Sequence, residues 1–221
     1  MTIARNRQNK TVFLWLGLLL AFFSITFFFF PFDLPLQAAE KEYDLIVVGS
    51  DPEGVAAAVS GAKNGLHTLL LDFEREKVGG LYTLGWLNML DLNYVSASSE
   101  MIVNMGIFGD LYRRLGYRLS FDISDMEQIL LDLLQESGVQ LQIGLEKEYA
   151  PVWGEDGRIA GIKVNQNGQE NVYYGHYFID ASQNADFAFM CGVGFYDGLE
   201  ELGLLGEKAA ATLVFQLSGV D

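Results

Sequence analysis

Three groups of residues in this 221-residue chain have types and spacings suited to chemistry. The first is Gly49-Ser50-Asp51-Pro52-Glu53-Gly54, a turn with a glycine at each end. The second is Asp72, 18 residues beyond Gly54, with Phe73 after it. The third is Gly79-Gly80 followed by Thr83, a pair of glycines and a hydroxyl that suit a loop lying against a flat or anionic ligand. The chemistry these suggest is the binding of a dinucleotide. Gly49 lets the chain turn sharply, Gly54 lets a helix pack close to the sheet, and the free amides at that helix start attract a pyrophosphate. Asp72 stands near the spacing at which an acid meets a ribose hydroxyl. One residue departs from the G-x-G-x-x-G pattern. Asp51 replaces the middle glycine, so a charged side chain stands in the phosphate path unless it points away or a cation intervenes. A tight strand-turn-helix with no ligand would use the same glycines.

The elements that must position these residues can be read from the flanking sequence. Leu45–Val48 is a short apolar run, long enough for a buried strand and too short for a helix. Val55–Lys63 reads as a small-residue helix that Asn64-Gly65 ends, because both tolerate the left-handed conformation of a C-terminal cap. Leu69-Leu70-Leu71 is a second apolar strand, closed by Asp72. Further on, Ile107–Leu115 reads as a short helix ending at Gly116. Ser124-Asp125-Met126-Glu127 reads as a capping box that opens a helix with Ile129, Leu130, Leu133 and Leu134 on one face, stopped by Gly138. Val139–Ile143 would be a third strand. Tyr149–Trp153, Ile159–Val164 and Asn171–Tyr174 are β-prone segments separated by Glu155-Asp156-Gly157 and Asn167-Gly168, the rhythm of an antiparallel meander. Phe178–Ser182 would return to the main sheet, and Ala211–Leu217 would add another strand. The expected fold is therefore α/β: a Rossmann-like parallel sheet with an antiparallel β-meander insertion.

Half of the residues are hydrophobic, and the net charge of −15 excludes nucleic acid as a partner, because phosphate neutralisation needs a basic face. Residues 1–39 hold three bases (Arg5, Arg7, Lys10) and one acid (Asp33), and residues 40–221 hold the other 11 bases and 28 acids, a net −17. The apolar run Val12–Phe30 follows the three bases and is long enough to span a hydrocarbon core. This predicts one N-terminal transmembrane helix, with the basic end cytoplasmic and residues 40–221 on the non-cytoplasmic side. Leu36-Gln37-Ala38 ahead of Ala39 offers a signal-cleavage site, but the length of the run favours an uncleaved anchor. The domain division is thus 1–39, anchor and linker (Pro31–Glu42 read as the connecting stretch), and 40–221, the nucleotide-binding domain. The single cysteine, Cys191, excludes an intrachain disulfide and a Cys-rich metal site, and two histidines, His67 and His176, make no metal or catalytic constellation.

The order of these segments resembles the FAD-dependent oxidoreductases of the two-dinucleotide-binding-domain type, in particular the xanthan-lyase-like FAD oxidoreductases. The likeness is carried by the 49–54 turn, Asp72, the Gly79-Gly80 loop with Thr83, and Ile179-Asp180-Ala181-Ser182-Gln183-Asn184-Ala185-Asp186. That last segment commonly reads I-D-A-T-G-D-A-D in the family. The resemblance implies FAD as cofactor and flavin-mediated redox chemistry on a small-molecule substrate. It implies that Gly49, Ser50, Asp51, Pro52, Glu53 and Gly54 form the pyrophosphate turn and that Asp72, with Phe73 beside it, holds the adenosine ribose. Gly79, Gly80 and Thr83 would line the flavin side, Tyr149-Ala150 would meet adenine through the backbone, and Ala181-Ser182 would pass beside the cofactor. It assigns no catalytic residue. Family members continue well beyond this length, so the chain reads as the N-terminal half of such an enzyme, with a separately encoded C-terminal half as a candidate partner. Two rival readings remain: a non-enzymatic remnant whose site is spoiled by Asp51 and Gln183, and an NAD-binding Rossmann domain. The Gly79-Gly80 loop and the meander favour FAD over NAD.

Overall fold

The computed structural model describes residues 40–96, 101–196, 198–208, 211–215 and 217. The apolar run Val12–Phe30 and the expected membrane helix lie outside the described residues. Among the described residues no helix is long and apolar enough to cross a membrane.

A six-stranded sheet of order β3-β2-β1-β6-β5-β4 forms the body. Strand β1 (Glu40–Val48) is central, with β2 (Thr68–Phe73) parallel on one side and β6 (Gln169–Asp180) parallel on the other. Strand β3 (Gln140–Leu145) continues the parallel set beside β2. Alternate residues of β1 feed opposite faces, as a two-residue period requires. Leu45 and Val47 enter a core with Val55, Val59, Leu70, Met126, Leu130 and Leu134. Ile46 and Val48 enter a second core with Leu69, Leu71, Ile162, Val164, Tyr173 and Phe187. Burial on both faces explains why β1 and β2 read as unbroken apolar runs. The strand extends further back than its apolar run, because Glu40, Lys41 and Glu42 pair with Val172, Tyr173 and Tyr174 of β6. The connecting stretch expected to reach Glu42 therefore ends before residue 40.

Helix α1 (Pro52–Lys63) joins β1 to β2, with Gly65 rather than Asn64 taking the left-handed conformation after it (φ +87° against −90°). A short turn of helix, α2 (Gly80–Thr83), follows β2, and α3 (Ile107–Arg114) ends ahead of Gly116. Helix α4 (Ile123–Ser137) begins earlier than the capping box implied. Asp122, not Ser124, is its N-cap, accepting from the Ser124 amide at 2.8 Å. Glu127 is released from the expected reciprocal cap and pairs with Lys77 Nζ at 2.8 Å. Gly138 closes α4 in the left-handed conformation (φ +77°), as its type predicts.

The meander consists of β4 (Tyr149–Trp153), β5 (Ile159–Gln166) and the first half of β6, all antiparallel. Asn167 and Gly168, both at positive φ, make the tight β5–β6 turn. The segments read separately as Asn171–Tyr174 and Phe178–Ser182 are one strand of 12 residues. Its first half pairs with β5 and the greater part of its length with β1, so a single element ties the meander to the parallel sheet. Helix α5 (Asp186–Met190) follows. The strand expected at Ala211–Leu217 does not form among the described residues 211–215 and 217. Leu213 and Phe215 project into solvent, with no neighbouring strand to satisfy that backbone.

Candidate functional site

At the carboxyl edge of the parallel strands the chain leaves β1 at Gly49, whose φ of +101° suits glycine. A Cβ on Gly49 would overlap the Ala181 carbonyl oxygen, and one on Gly54 would overlap the Gly49 carbonyl oxygen. The turn is fixed from both sides: Gly49 N donates to Leu71 O at 2.8 Å, and Ala181 N donates to Val48 O at 2.7 Å. Ser50 is fully buried, and its amide donates to Asp72 Oδ2 at 2.7 Å while its hydroxyl donates to the same oxygen. Asp72 is thereby locked to the turn from the end of β2, leaving Oδ1 for a ligand hydroxyl.

Asp51 is 1% exposed and occupies the centre of the turn region. Its Oδ1 accepts from the Leu81 amide at 2.9 Å. Its Oδ2 accepts from Arg75 Nη1 at 2.7 Å and from Gln183 Nε2 at 2.6 Å. Gln183 Nε2 also donates to Glu53 Oε1 at 3.0 Å. An isolated buried carboxylate costs several kcal/mol, so this position is tenable because a guanidinium and two further donors surround it. Burial acts against the Arg75 charge, but the Asp51 hydrogen bond and the charges of Asp51, Asp72 and Glu53 outweigh it and raise the Arg75 pKa. The cation that Asp51 requires is thus part of the chain. The Asp51 side chain fills the space a Cβ on Gly80 would take, which gives Gly80 a steric reason to be glycine.

A cleft of about 270 Å³ opens beyond the strand ends, bordered by Gly49, Asp72, Phe73, Tyr149, Ser182 and Gln183 among others. The Phe73 and Tyr149 rings stack there, with centroids 3.8 Å apart and planes 12° from parallel. Burial, then the charges of Asp186, Asp180, Asp72 and Glu74, push the Tyr149 phenol up to about 12, so it stays neutral at physiological pH. Lys147 spans Glu74 at 3.7 Å and Asp186 at 3.6 Å on the same rim. A second depression, of about 350 Å³, is bordered by Asp51, Arg75, Gly80, Leu81, Leu84, Gly85 and Gln183. The two hollows share Arg75 and Gln183.

The structure brings Gly49, Asp72, Phe73, Tyr149 and Ser182 to one cleft and Asp51 and Gly80 to the other. It sets four of the expected residues apart. Gly79 donates its amide to Ser50 O at 2.7 Å, Leu130 occupies the space a Cβ there would take, and it borders neither hollow. Thr83 is buried, its hydroxyl donates to Val78 O at 2.6 Å, and it borders neither hollow. Ala150 pairs with Lys163 across β4–β5, outside the cleft. Pro52 is the first residue of α1, where its missing amide costs nothing. Ala181 acts through its backbone against Gly49, and Ser182 Oγ accepts from Asp186 N at 3.0 Å to start α5. Sequence reasoning missed Arg75, Lys147 and Asn184. Only Arg75 carried a signal: a buried acid in the turn demands a base close by, and Arg75 is the first base after Asp72.

The donor set fits a dinucleotide at its adenosine end. The cleft lies outside the carboxyl ends of parallel strands, an acid stands at the tip of β2, and aromatic rings line the wall. Asp51, Arg75 and Gln183 meet between the two hollows.

Residues 44–221 match the model of a protein family described as FAD dependent oxidoreductase. An uncharacterized protein in the nifH2 5' region of Methanosarcina barkeri is 46% identical over 48 residues, 22% of this chain and 26% of that protein. Among solved structures, THI4 from Thermovibrio ammonificans is similar over 67% of this chain and 61% of its own, with 15% identity and a TM-score of 0.49. A geranylgeranyl bacteriochlorophyll reductase-like protein from Thermoplasma acidophilum is similar over 72% of this chain and 44% of its own, with 17% identity and a TM-score of 0.45. The chain thus spans about a quarter of the curated relative and under two thirds of either solved chain. With the glycine turn, the acid of β2 and the family match over residues 44–221 in agreement, the chain belongs to the FAD dependent oxidoreductase family and its cofactor is FAD.

Proposed function

We propose that residues 40–221 are the FAD-binding part of a membrane-anchored oxidoreductase acting on a small-molecule substrate. The observation that carries this reading is the Gly49 turn locked through Ser50 to Asp72, at the mouth of a cleft walled by Phe73 and Tyr149. Asp72 would accept a ribose hydroxyl on Oδ1, since Ser50 already holds Oδ2. Phe73 and Tyr149 would cover the adenine and exclude water from it. Arg75 and the amides at the start of α1 would face the phosphates. Bound FAD would supply hydride or electron transfer, and the protein would supply orientation and electrostatics. Purified full chain that is yellow, and that takes up FAD in calorimetry when stripped, would support this. A folded, colourless product that ignores added FAD would refute it and favour a remnant without a working site.

The bases Arg5, Arg7 and Lys10 ahead of Val12–Phe30 support a single anchoring span, with residues 40–221 on the non-cytoplasmic side. A reporter fused after Asp221 that works only in the cytoplasm would contradict that orientation.

A further inference from the structure

The turn already holds an anion, and the anion is the protein's own. Three donors converge on the buried Asp51 carboxylate: Arg75 Nη1 at 2.7 Å, Gln183 Nε2 at 2.6 Å and Leu81 N at 2.9 Å. They come from three places in the chain, the β2–α2 loop, the segment after β6, and α2. One is charged, and all are N–H groups aimed at carboxylate oxygens. Phosphate oxygens would be met by the same chemistry. Arg75 and Gln183 border both hollows, so Asp51 stands between the cleft at Asp72 and the depression at Gly80.

We propose that Asp51 is a latch, an internal carboxylate that occupies the phosphate donors Arg75, Gln183 and Leu81 N and yields them when a pyrophosphate crosses between the hollows. This rests on the nucleotide reading given above and adds to it a competing occupant and a specific cation. Binding is then an exchange of one anion for another on the same donors, and no bond is made or broken. The latch also joins the two departures from the family pattern into one device. Asp51 supplies the internal anion, and Gln183 ties it to the segment after β6 and, through Glu53, to the first turn of α1. A glycine at position 51 would leave Arg75 with Asp72 Oδ2, 4.0 Å away, as its nearest carboxylate, and a glycine at position 183 would leave Asp51 without its second donor to Oδ2.

The test is calorimetric, on the full chain, with FAD, ADP and adenosine as titrants. FAD and ADP carry the phosphates that compete with Asp51, and adenosine does not. Asp51→Asn keeps the shape of the side chain, removes the charge and frees Arg75. The latch predicts that this variant binds ADP and FAD more tightly, by about tenfold to a hundredfold, the worth of one charge-assisted hydrogen bond, with adenosine unchanged. Arg75→Gln added to Asp51→Asn should abolish that gain. Should Asp51→Asn fail to fold, Asp51→Gly, which also removes the internal carboxylate, is titrated in its place and read in the same way. In a folded Asp51→Asn protein, ADP affinity that is unchanged or weaker, beside measurable binding by the natural chain, overturns the latch and leaves the nucleotide reading standing. No binding of FAD or ADP by any folded variant overturns both.

Discussion

A buried carboxylate in the middle of the Gly49–Gly54 turn needs a partner, and the partner sets what mutation there will do. Among the described residues Arg75 is the only charged donor on Asp51, which is nearly fully buried. Removing one member of a buried pair costs about 3–5 kcal/mol, but Arg75 is one-third exposed, so Arg75→Ala should destabilise by about 2 kcal/mol. Urea denaturation of the two proteins measures it, and a difference within error would show that water already screens the pair. Tyr149 gives a second test in the same cleft. Its folded pKa, about 12, lies above its unfolded value of 10.0, so its stabilisation is complete below the unfolded value and lost as pH rises through the folded one. Tyr149→Phe should flatten the alkaline limb of the stability curve over that interval, and superimposable limbs would contradict the burial of the phenol. At this scale the legible residues were those whose backbone demand is absolute. Gly49 and Gly54 could be read because neighbouring carbonyl oxygens exclude any side chain, and Asp72 because its spacing follows from the lengths of α1 and β2. Thr83 and Ala150 could not, since residue type does not tell where a hydroxyl points or which neighbour a backbone pairs with. The Val78 carbonyl took the Thr83 hydroxyl, and the β5 ladder took the Ala150 backbone.

Elements were legible where period and punctuation agreed. The apolar runs of β1 and β2, the turn at Asn167-Gly168 and the stop at Gly138 all carry short-range signals. The continuity of β6 was not legible, because Gly175 and His176 interrupt its apolar pattern. Gly175 is glycine for a packing reason, as a Cβ there would press against Ile46 Cδ1 at 3.0 Å. The start of α4 was misplaced because two residues could cap it, and Asp122 reached the Ser124 amide first in the chain. Helix α1 depends on close approach to the turn, which makes Gly54→Ala a severe change. Its Cβ would meet backbone, which cannot rotate away, so a loss of about 3 kcal/mol or more is expected, with FAD uptake falling in parallel. Retained stability in that variant would mean that α1 can slide. Helices α3 and α4 are joined electrostatically: Arg114 grips Glu136 with two hydrogen bonds of 2.9 and 2.6 Å and lies 3.6 Å from Asp110. Burial acts to raise the Asp110 pKa, but Arg113, Arg114 and Lys63 hold it below the usual carboxylate range. A depressed folded value means the stabilisation is present above the unfolded value and lost as pH falls through the folded one. Asp110→Asn should therefore cost about 1 kcal/mol at neutral pH, and the gap between the two proteins should close in acid. A gap that persists at low pH would point to packing instead of charge.

At the scale of the molecule, the described surface is unevenly covered. Parallel sheets normally have both faces and their inner edges buried. Here the pairing of β6 with β5 ends at Tyr174, and from Gly175 to Asp180 the side of β6 away from β1 has no strand among the described residues. On the face shared with α1 and α4, Tyr177 is 66% exposed and Ile179 39% exposed, although their β1 neighbours Leu45 and Val47 are buried. Phe189, Phe195, Leu205 and Leu213 add apolar surface in the segment that follows. An open strand edge beside uncovered apolar side chains is a template for pairing with another chain. We therefore expect the chain to self-associate with rising concentration, through pairing along the open edge of β6. Sedimentation across a concentration series measures it. Placing a lysine at Ile179, which is 39% exposed beside that edge, should weaken the association while leaving the Gly49 turn and Asp72 undisturbed. A chain that stays monomeric across that series, and that the Ile179 change does not affect, would show that the β6 edge needs no partner.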